Sequence, residues 1–184
     1  MKVIIVGNGI AGINAAQALK AQAGEHPSES VEVVVYASES HPFYSRVRLP
    51  EVLSGASKPE DILFYKNEWY EKRGIEVKIA SAVASIEPDS RTVTLADGSA
   101  VPYDYLILAT GASANRPPIP GSKMPGVFTM RTMEDVAAIR ASVASHPQAA
   151  SVIGGGLLGL EAARSLKEAG AASVRVFEIA PWLL

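Results

Sequence analysis

Short, mostly apolar runs alternate with longer stretches of helical spacing along this chain. Lys2 to Val6 is one such run and stops at Gly7, the pattern of a buried parallel strand. Ile10 to Ala23 is Ala-rich, with Ile10, Ile13, Ala16 and Leu19 at helical spacing. Gly24 to Ser30 is polar, contains Pro27 and reads as a loop, and β-branched Val31 to Tyr36 reads as a second buried strand. Strand, Gly turn, helix and strand make a βαβ unit with a right-handed crossover. The order recurs in Ala149 to Ile153, a Gly turn, a helix over Leu157 to Ala169, and Ser173 to Phe177. The two units lie about 147 positions apart, Gly7 against Gly154, and share only Gly spacing and element order.

Between the units the pattern is more broken. His41 to Ser57 is turn-rich, with Pro42 and Pro50. Asn67 to Arg73 reads as a helix stopped by Gly74. Val77 to Ile79 and Arg91 to Leu95 read as short strands, Asp97-Gly98 as a hairpin turn, and Tyr105 to Ala109 as another buried strand. Four prolines between Arg116 and Pro125 predict a stiff, extended interdomain crossing. Met133 to Ser145 reads as a helix with Thr132 as N-cap. The expected fold is α/β: a three-layer, Rossmann-like domain on a parallel sheet over residues 1–112, then the first βαβ of a second such domain over 113–184.

Composition narrows the chemistry. The 184 residues carry no cysteine, which removes disulfides, thiolate-held metals and thiol redox catalysis from these residues. His26, His41 and His146 are scattered without metal-ligand spacing and are expected in surface loops, so no metal site is expected. A net charge of −2 offers no field for nucleic acid. No apolar run is long enough for a membrane span, and the N-terminal run is too short for a signal sequence. The expected location is cytoplasmic.

Gly7-Asn8-Gly9-Ile10-Ala11-Gly12 and Gly154-Gly155-Gly156-Leu157-Leu158-Gly159 both spell GxGxxG, each after an apolar strand and at the opening of a helix. The first Gly permits the tight turn, the second lets backbone approach a pyrophosphate, and the third lets helix and strand pack closely. The helix N-terminus then offers unpaired N–H groups to phosphate. One copy is weak evidence, because a Gly turn can serve packing alone; two copies in the same context are much stronger. Glu178 ends the last strand 19 residues after Gly159, near the spacing of a carboxylate that meets a ribose 2′-hydroxyl. That favours NADH over NADPH. In the first unit the acid, Glu39, falls a few residues late and is either a ribose contact or a solvated residue. Two dinucleotide sites on one chain imply two cofactors with hydride transfer between them, commonly a flavin and a nicotinamide.

VGNGIAG, HPFYSRVRLPEVLSG, WYEKRGIEV, YDYLILATGA, GVFTMRTMEDV and VIGGGLLGLEAA together resemble the FAD-dependent pyridine-nucleotide oxidoreductases along the whole chain. The resemblance is strongest to the rubredoxin and ferredoxin reductases and to the flavin part of the NAD(P)H nitrite reductase large subunit. It implies that Gly7, Gly9, Ile10, Ala11, Gly12 and Glu39 hold the ADP half of FAD. Arg46 and Arg131 would stand near the flavin, the Val83 backbone at the adenine, and Thr110-Gly111 beside the cofactor. Gly154, Gly156, Leu157, Leu158, Gly159 and Glu178 would hold NAD(P)H, with Glu161 near the nicotinamide and isoalloxazine. NAD(P)H would pass hydride to FAD, and a redox acceptor protein or domain would take the electrons.

The chain departs from that pattern in places. Glu51 stands where ferredoxin reductases often carry a flavin-side Lys, which favours the nitrite reductase branch. The redox cysteines of the disulfide reductases are absent from these residues, and the resemblance would put the family's later FAD signature beyond residue 184. Two rivals stay open: a non-catalytic, truncated dinucleotide-binding module and a thiol-free NADH oxidase. Residues 150–184 end on the apolar Trp182, Leu183 and Leu184 and leave a sheet of few strands. The expectation is self-association, a complementing chain, or poor order there.

Overall fold

A computed structural model describes residues 1–25 and 30–183 of the chain. The first elements are β1 (Lys2–Val6), α1 (Ile10–Glu25), β2 (Glu32–Tyr36), α2 (Leu49–Ser54), α3 (Asn67–Glu71) and β3 (Ile75–Lys78). Then come β4 (Val83–Glu87), β5 (Thr92–Leu95), β6 (Ala100–Pro102), β7 (Tyr105–Leu108), α4 (Met133–Ser145), β8 (Ala150–Ile153), α5 (Leu157–Glu168) and β9 (Val174–Phe177). Two compact units form: Met1–Tyr44 with Leu63–Ala112, and Ser45–Ile62 with Ser113–Leu184.

The first unit is built on a parallel sheet in the order β3-β2-β1-β7. Side chains alternate across a strand, so each strand supplies both faces. Ile5, Val33 and Val35 pack with Ile13, Ala16 and Tyr70 on the helical side, and Ile4, Val34 and Tyr36 pack with Val93 and Leu95 on the other. That second cover is an antiparallel sheet, β4-β5-β6. Burial on both faces explains why β1 and β2 read as continuous apolar runs. Helix, parallel sheet and antiparallel sheet make the three expected layers. Asp97-Gly98 forms the β5-β6 turn: Gly98, at φ 86°, donates to the Leu95 carbonyl at 2.9 Å.

Several local expectations are corrected. The turn-rich stretch 41–57 contains a 3-10 turn over Arg46–Arg48 and then α2. Pro50 does not stop this helix because it sits in the first turn, where its missing N–H has no intrahelical partner to lose. β4 has no counterpart in the pattern reading, because a register shift between Val83 and Ser85 breaks its alternation. The short β6 likewise escaped the pattern. The third parallel strand starts at Ile75 rather than Val77, α1 runs past Ala23 through Glu25, and α3 stops at Glu71. His41 lies in the loop after β2, half-buried, with its ring edge-on to Tyr44 at 6.4 Å. His146 is exposed at the C-cap of α4, and the loop prediction for His26 lies outside the described residues.

In the second unit β8 and β9 pair in parallel, Ile153 opposite Phe177. Thr132 caps α4 as expected: its hydroxyl accepts from Asp135 N at 3.1 Å, and the Asp135 carboxylate accepts from Thr132 N at 3.0 Å. α2 packs against α4 and α5. Arg140 donates to the carbonyls of Val52 at 2.6 Å and Leu53 at 3.3 Å, closing the C-terminal turn of α2, with Gly55 left-handed at φ 87°.

Candidate functional site

The first Gly turn joins β1 to α1. Gly7 has φ 112° and donates to the Tyr36 carbonyl at 2.8 Å. A Cβ on Gly7 would strike the Ala109 carbonyl, and one on Gly12 the Gly7 carbonyl. Those two glycines are therefore required by packing. Gly9 is not: its Cβ direction meets nothing within 4 Å. Open space before the second glycine, at the N-terminus of α1, is where a diphosphate would approach the free N–H groups of the first turn.

The second turn repeats this backbone. Gly154 has φ 109° and donates to the Phe177 carbonyl at 2.8 Å. A Cβ on Gly159 would strike the Gly154 carbonyl. Gly156 is the extended N-cap of α5, and its carbonyl accepts from Leu160 N at 3.0 Å. Leu157 and Leu158 open this helix exposed, as does Ile10 in α1. The turn faces a cleft of about 990 Å³ whose walls include Phe128, Arg131, Gly154 and Leu157.

The acids differ between the two turns. Glu178 follows Phe177 directly, and its carboxylate accepts from Gly155 N at 2.6 Å, Ile179 N at 2.7 Å and Ala180 N at 2.9 Å. These bonds, from Ala180 first and then Gly155 and Ile179, hold its carboxyl below the ordinary range. The residue in register with Glu178 in the first unit is the buried Ala37, which follows Tyr36. The acid comes two residues later, as Glu39, and accepts from the Tyr44 hydroxyl.

The other expected residues scatter in defined places. Thr110 lies against the first turn, its Cα 3.3 Å from where a Gly7 Cβ would stand, and Gly111 follows with φ 71°. Ala11 is exposed beside Ile10 on α1, and Val83 opens β4, partly buried against the Val93 cluster. Arg46 and Arg131 meet: the Arg46 guanidinium donates to the Arg131 carbonyl at 2.7 Å. Glu161 is exposed on α5. Glu51 is held by Arg48 at 2.7 Å and accepts from the Ser57 hydroxyl at 2.8 Å. Arg48 chiefly, then Ser57, lower its pKa.

Two contacts escaped the sequence reading. Asn8 Nδ2 and Phe43 N both donate to the buried Tyr70 hydroxyl, at 3.4 and 3.3 Å, tying the first turn to α3. Burial pushes the Tyr70 phenol up, against the pull of those bonds. Asn8 Oδ1 is buried and has no hydrogen-bond partner among the described residues. The second contact is Gly155 with Glu178. Neither had a signal in residue spacing, since each depends on elements distant in sequence. Among the described residues no cluster of His, Cys, Asp and Glu could hold a metal, and no helix is long and apolar enough to cross a membrane.

Known proteins are similar to this chain in sequence and in fold. An assimilatory nitrate reductase electron transfer subunit of Bacillus subtilis is 39% identical over 169 residues, covering 92% of this chain and 21% of that protein. A nitrite reductase [NAD(P)H] of the same species is 36% identical over 183 residues, covering 100% of this chain and 22% of that protein. The crystal structure of NADH:rubredoxin oxidoreductase from Clostridium acetobutylicum superposes with a TM-score of 0.82 at 30% identity, covering 100% of this chain and 46% of that one. The chain thus spans about a fifth of the length of the two Bacillus relatives and less than half of the superposed structure. Residues 1–184 match the family described as pyridine nucleotide-disulphide oxidoreductase throughout, and the chain belongs to that family.

Proposed function

We propose that the chain is the N-terminal part of an FAD-dependent NAD(P)H oxidoreductase that delivers electrons to a redox acceptor protein or domain. One observation carries this reading: two glycine turns with the same backbone, Gly7 and Gly154 at φ 112° and 109°, each donating to the neighbouring strand at 2.8 Å. Two cradles on one chain suit two dinucleotides. The open approach at Gly9 fits a diphosphate, which packing alone would not require.

In this reading Gly7, Gly9, Ile10, Ala11 and Gly12 present backbone N–H groups to the FAD diphosphate, and Glu39 orients the adenosine ribose. Val83 and Thr110-Gly111 flank the cofactor. Gly154 and Gly156 to Gly159 cradle the nicotinamide dinucleotide, Glu178 meets its ribose, and Glu161 stands toward the nicotinamide. When bound, the flavin and nicotinamide supply the hydride exchange. The chain binds, orients and shields them, and no side chain is needed as an acid or base. The absence of cysteine in these residues separates this chemistry from dithiol exchange. One similar protein is named for a protein acceptor, rubredoxin, and another is named an electron transfer subunit, which supports a protein or domain as acceptor.

The test is FAD titration followed by flavin fluorescence and the visible spectrum. The parent chain should take up FAD, and Gly9→Val should abolish uptake while keeping the parent's far-UV spectrum. A Gly9→Val protein that binds FAD like the parent would overturn the assignment.

A further inference from the structure

The two turns share a backbone but differ in a reciprocal way at two side chains. The second turn has a bare glycine, Gly155, at the position after its first glycine and a carboxylate, Glu178, after the neighbouring strand. The first turn has Asn8 and Ala37 at the corresponding positions. A polar side chain on the turn therefore goes with only a methyl group at the strand end, and a bare turn goes with a long carboxylate side chain in the second unit.

The geometry of the second turn gives the reason. A Cβ on Gly155 would stand 3.2 Å from Glu178 Cβ and 3.3 Å from Glu178 Cγ, and it would collide with the Leu183 side chain. The Leu183 side chain could swing away. The Glu178 stem is tied at both carboxylate oxygens, one to Gly155 N and the other to Ile179 N and Ala180 N, and would have to shift. Without its side chain Gly155 leaves that volume to Glu178, and with its N–H it aims the carboxylate.

We propose that Gly155 is a positioning residue for dinucleotide choice: it fixes Glu178 where an adenosine ribose would bind, and so sets the preference for a dinucleotide without a 2′-phosphate. This rests on the reading of the second turn as a nicotinamide-dinucleotide site. A carboxylate held there by three N–H groups accepts from a ribose hydroxyl and repels a 2′-phosphate; once loosened, it does both less well. The three N–H groups also favour the ionised form, so the repulsion persists on mild acidification.

The experiment is calorimetric titration of the full chain with NAD+ and with NADP+. The parent should bind NAD+ more tightly. Gly155→Ala should cut the ratio of the two affinities by about tenfold, mainly by weakening NAD+, as expected for a lost charge-assisted hydrogen bond. Glu178→Gln, which keeps the volume, should cut it similarly, and the double variant should fall no further. A Gly155→Ala protein that loses both affinities by the same factor, or an additive double variant, overturns the proposal. A second measurement needs no ligand: the Gly155 amide resonance of the parent should move with the Glu178 carboxyl titration and stay still in Glu178→Gln. An amide that ignores that titration overturns the positioning role. A parent that binds neither dinucleotide while its Gly155 amide follows Glu178 overturns the site reading instead, and the specificity role with it.

Discussion

The Arg46 guanidinium donates to the backbone carbonyl of Arg131 at 2.7 Å, across 85 positions of sequence. Arg46 reads main chain there, and the carbonyl it holds lies at the entry to the Thr132 cap of α4. Arg46→Ala should destabilise the protein by about 1.5–3 kcal/mol, the usual value of a hydrogen bond from a charged group. Urea unfolding followed by circular dichroism measures this, and an unchanged midpoint would sink it.

The α4 cap gives a second prediction. Thr132→Ala removes the acceptor for Asp135 N and should cost about 1 kcal/mol. Thr132→Ser keeps the oxygen and should retain most of that stability. Thermal unfolding of the two variants side by side checks the order.

Tyr70 supplies a third. Its hydroxyl accepts from both Asn8 and Phe43 N inside the first unit. Tyr70→Phe leaves the Phe43 N–H without that acceptor, which should cost about 1–3 kcal/mol. In the parent, tyrosinate absorbance on alkaline titration should show one phenol ionising above the ordinary value of 10 and missing from Tyr70→Phe.

The fourth concerns acid. Glu178 is held below its ordinary value of 4.5, so it is a carboxyl with a depressed folded pKa. Its contribution to stability is fully present above 4.5 and is lost as pH falls through the lower folded value. Glu178→Gln should therefore be less stable than the parent near neutrality, and the gap should close under acid. A gap that widened below pH 4.5 would contradict the three backbone bonds.

The parts of the fold legible in the chain were those where backbone sterics select the residue. Gly7, Gly12 and Gly159 admit no Cβ, and Thr132 with Asp135 closes its box within four residues, so both features appear as local motifs. β1 and β2 were legible because burial on both faces makes them apolar after a charged first residue, Lys2 or Glu32. α2 was hidden because a proline in a first turn looks the same as a proline in a loop. β4 was hidden by its irregular register. At the candidate site the glycines and Glu178 were visible by spacing. Gly155 carries no such signal, because what stands against it is Glu178, just after β9, and Leu183, both distant from the turn in sequence. Glu51 stood out as an unusual residue, and its Arg48 and Ser57 contacts give it a local structural partner set.

The bonds from Arg140 to the end of α2 bear on how the protein can be dissected and how fast it can form. α2 comes from the excursion 45–62, yet it belongs with residues 113–184, and Arg140 closes it from 87 and 88 positions away. A single cut after Ala112 would deprive the second unit of a helix that packs on α4 and α5. Closing a loop that long carries an entropic cost before any packing rewards it, so docking of α2 belongs to the slow, high-contact-order part of folding. Limited proteolysis inside 45–62 would reach the second unit's core even though the cleaved bonds lie within the span of the first.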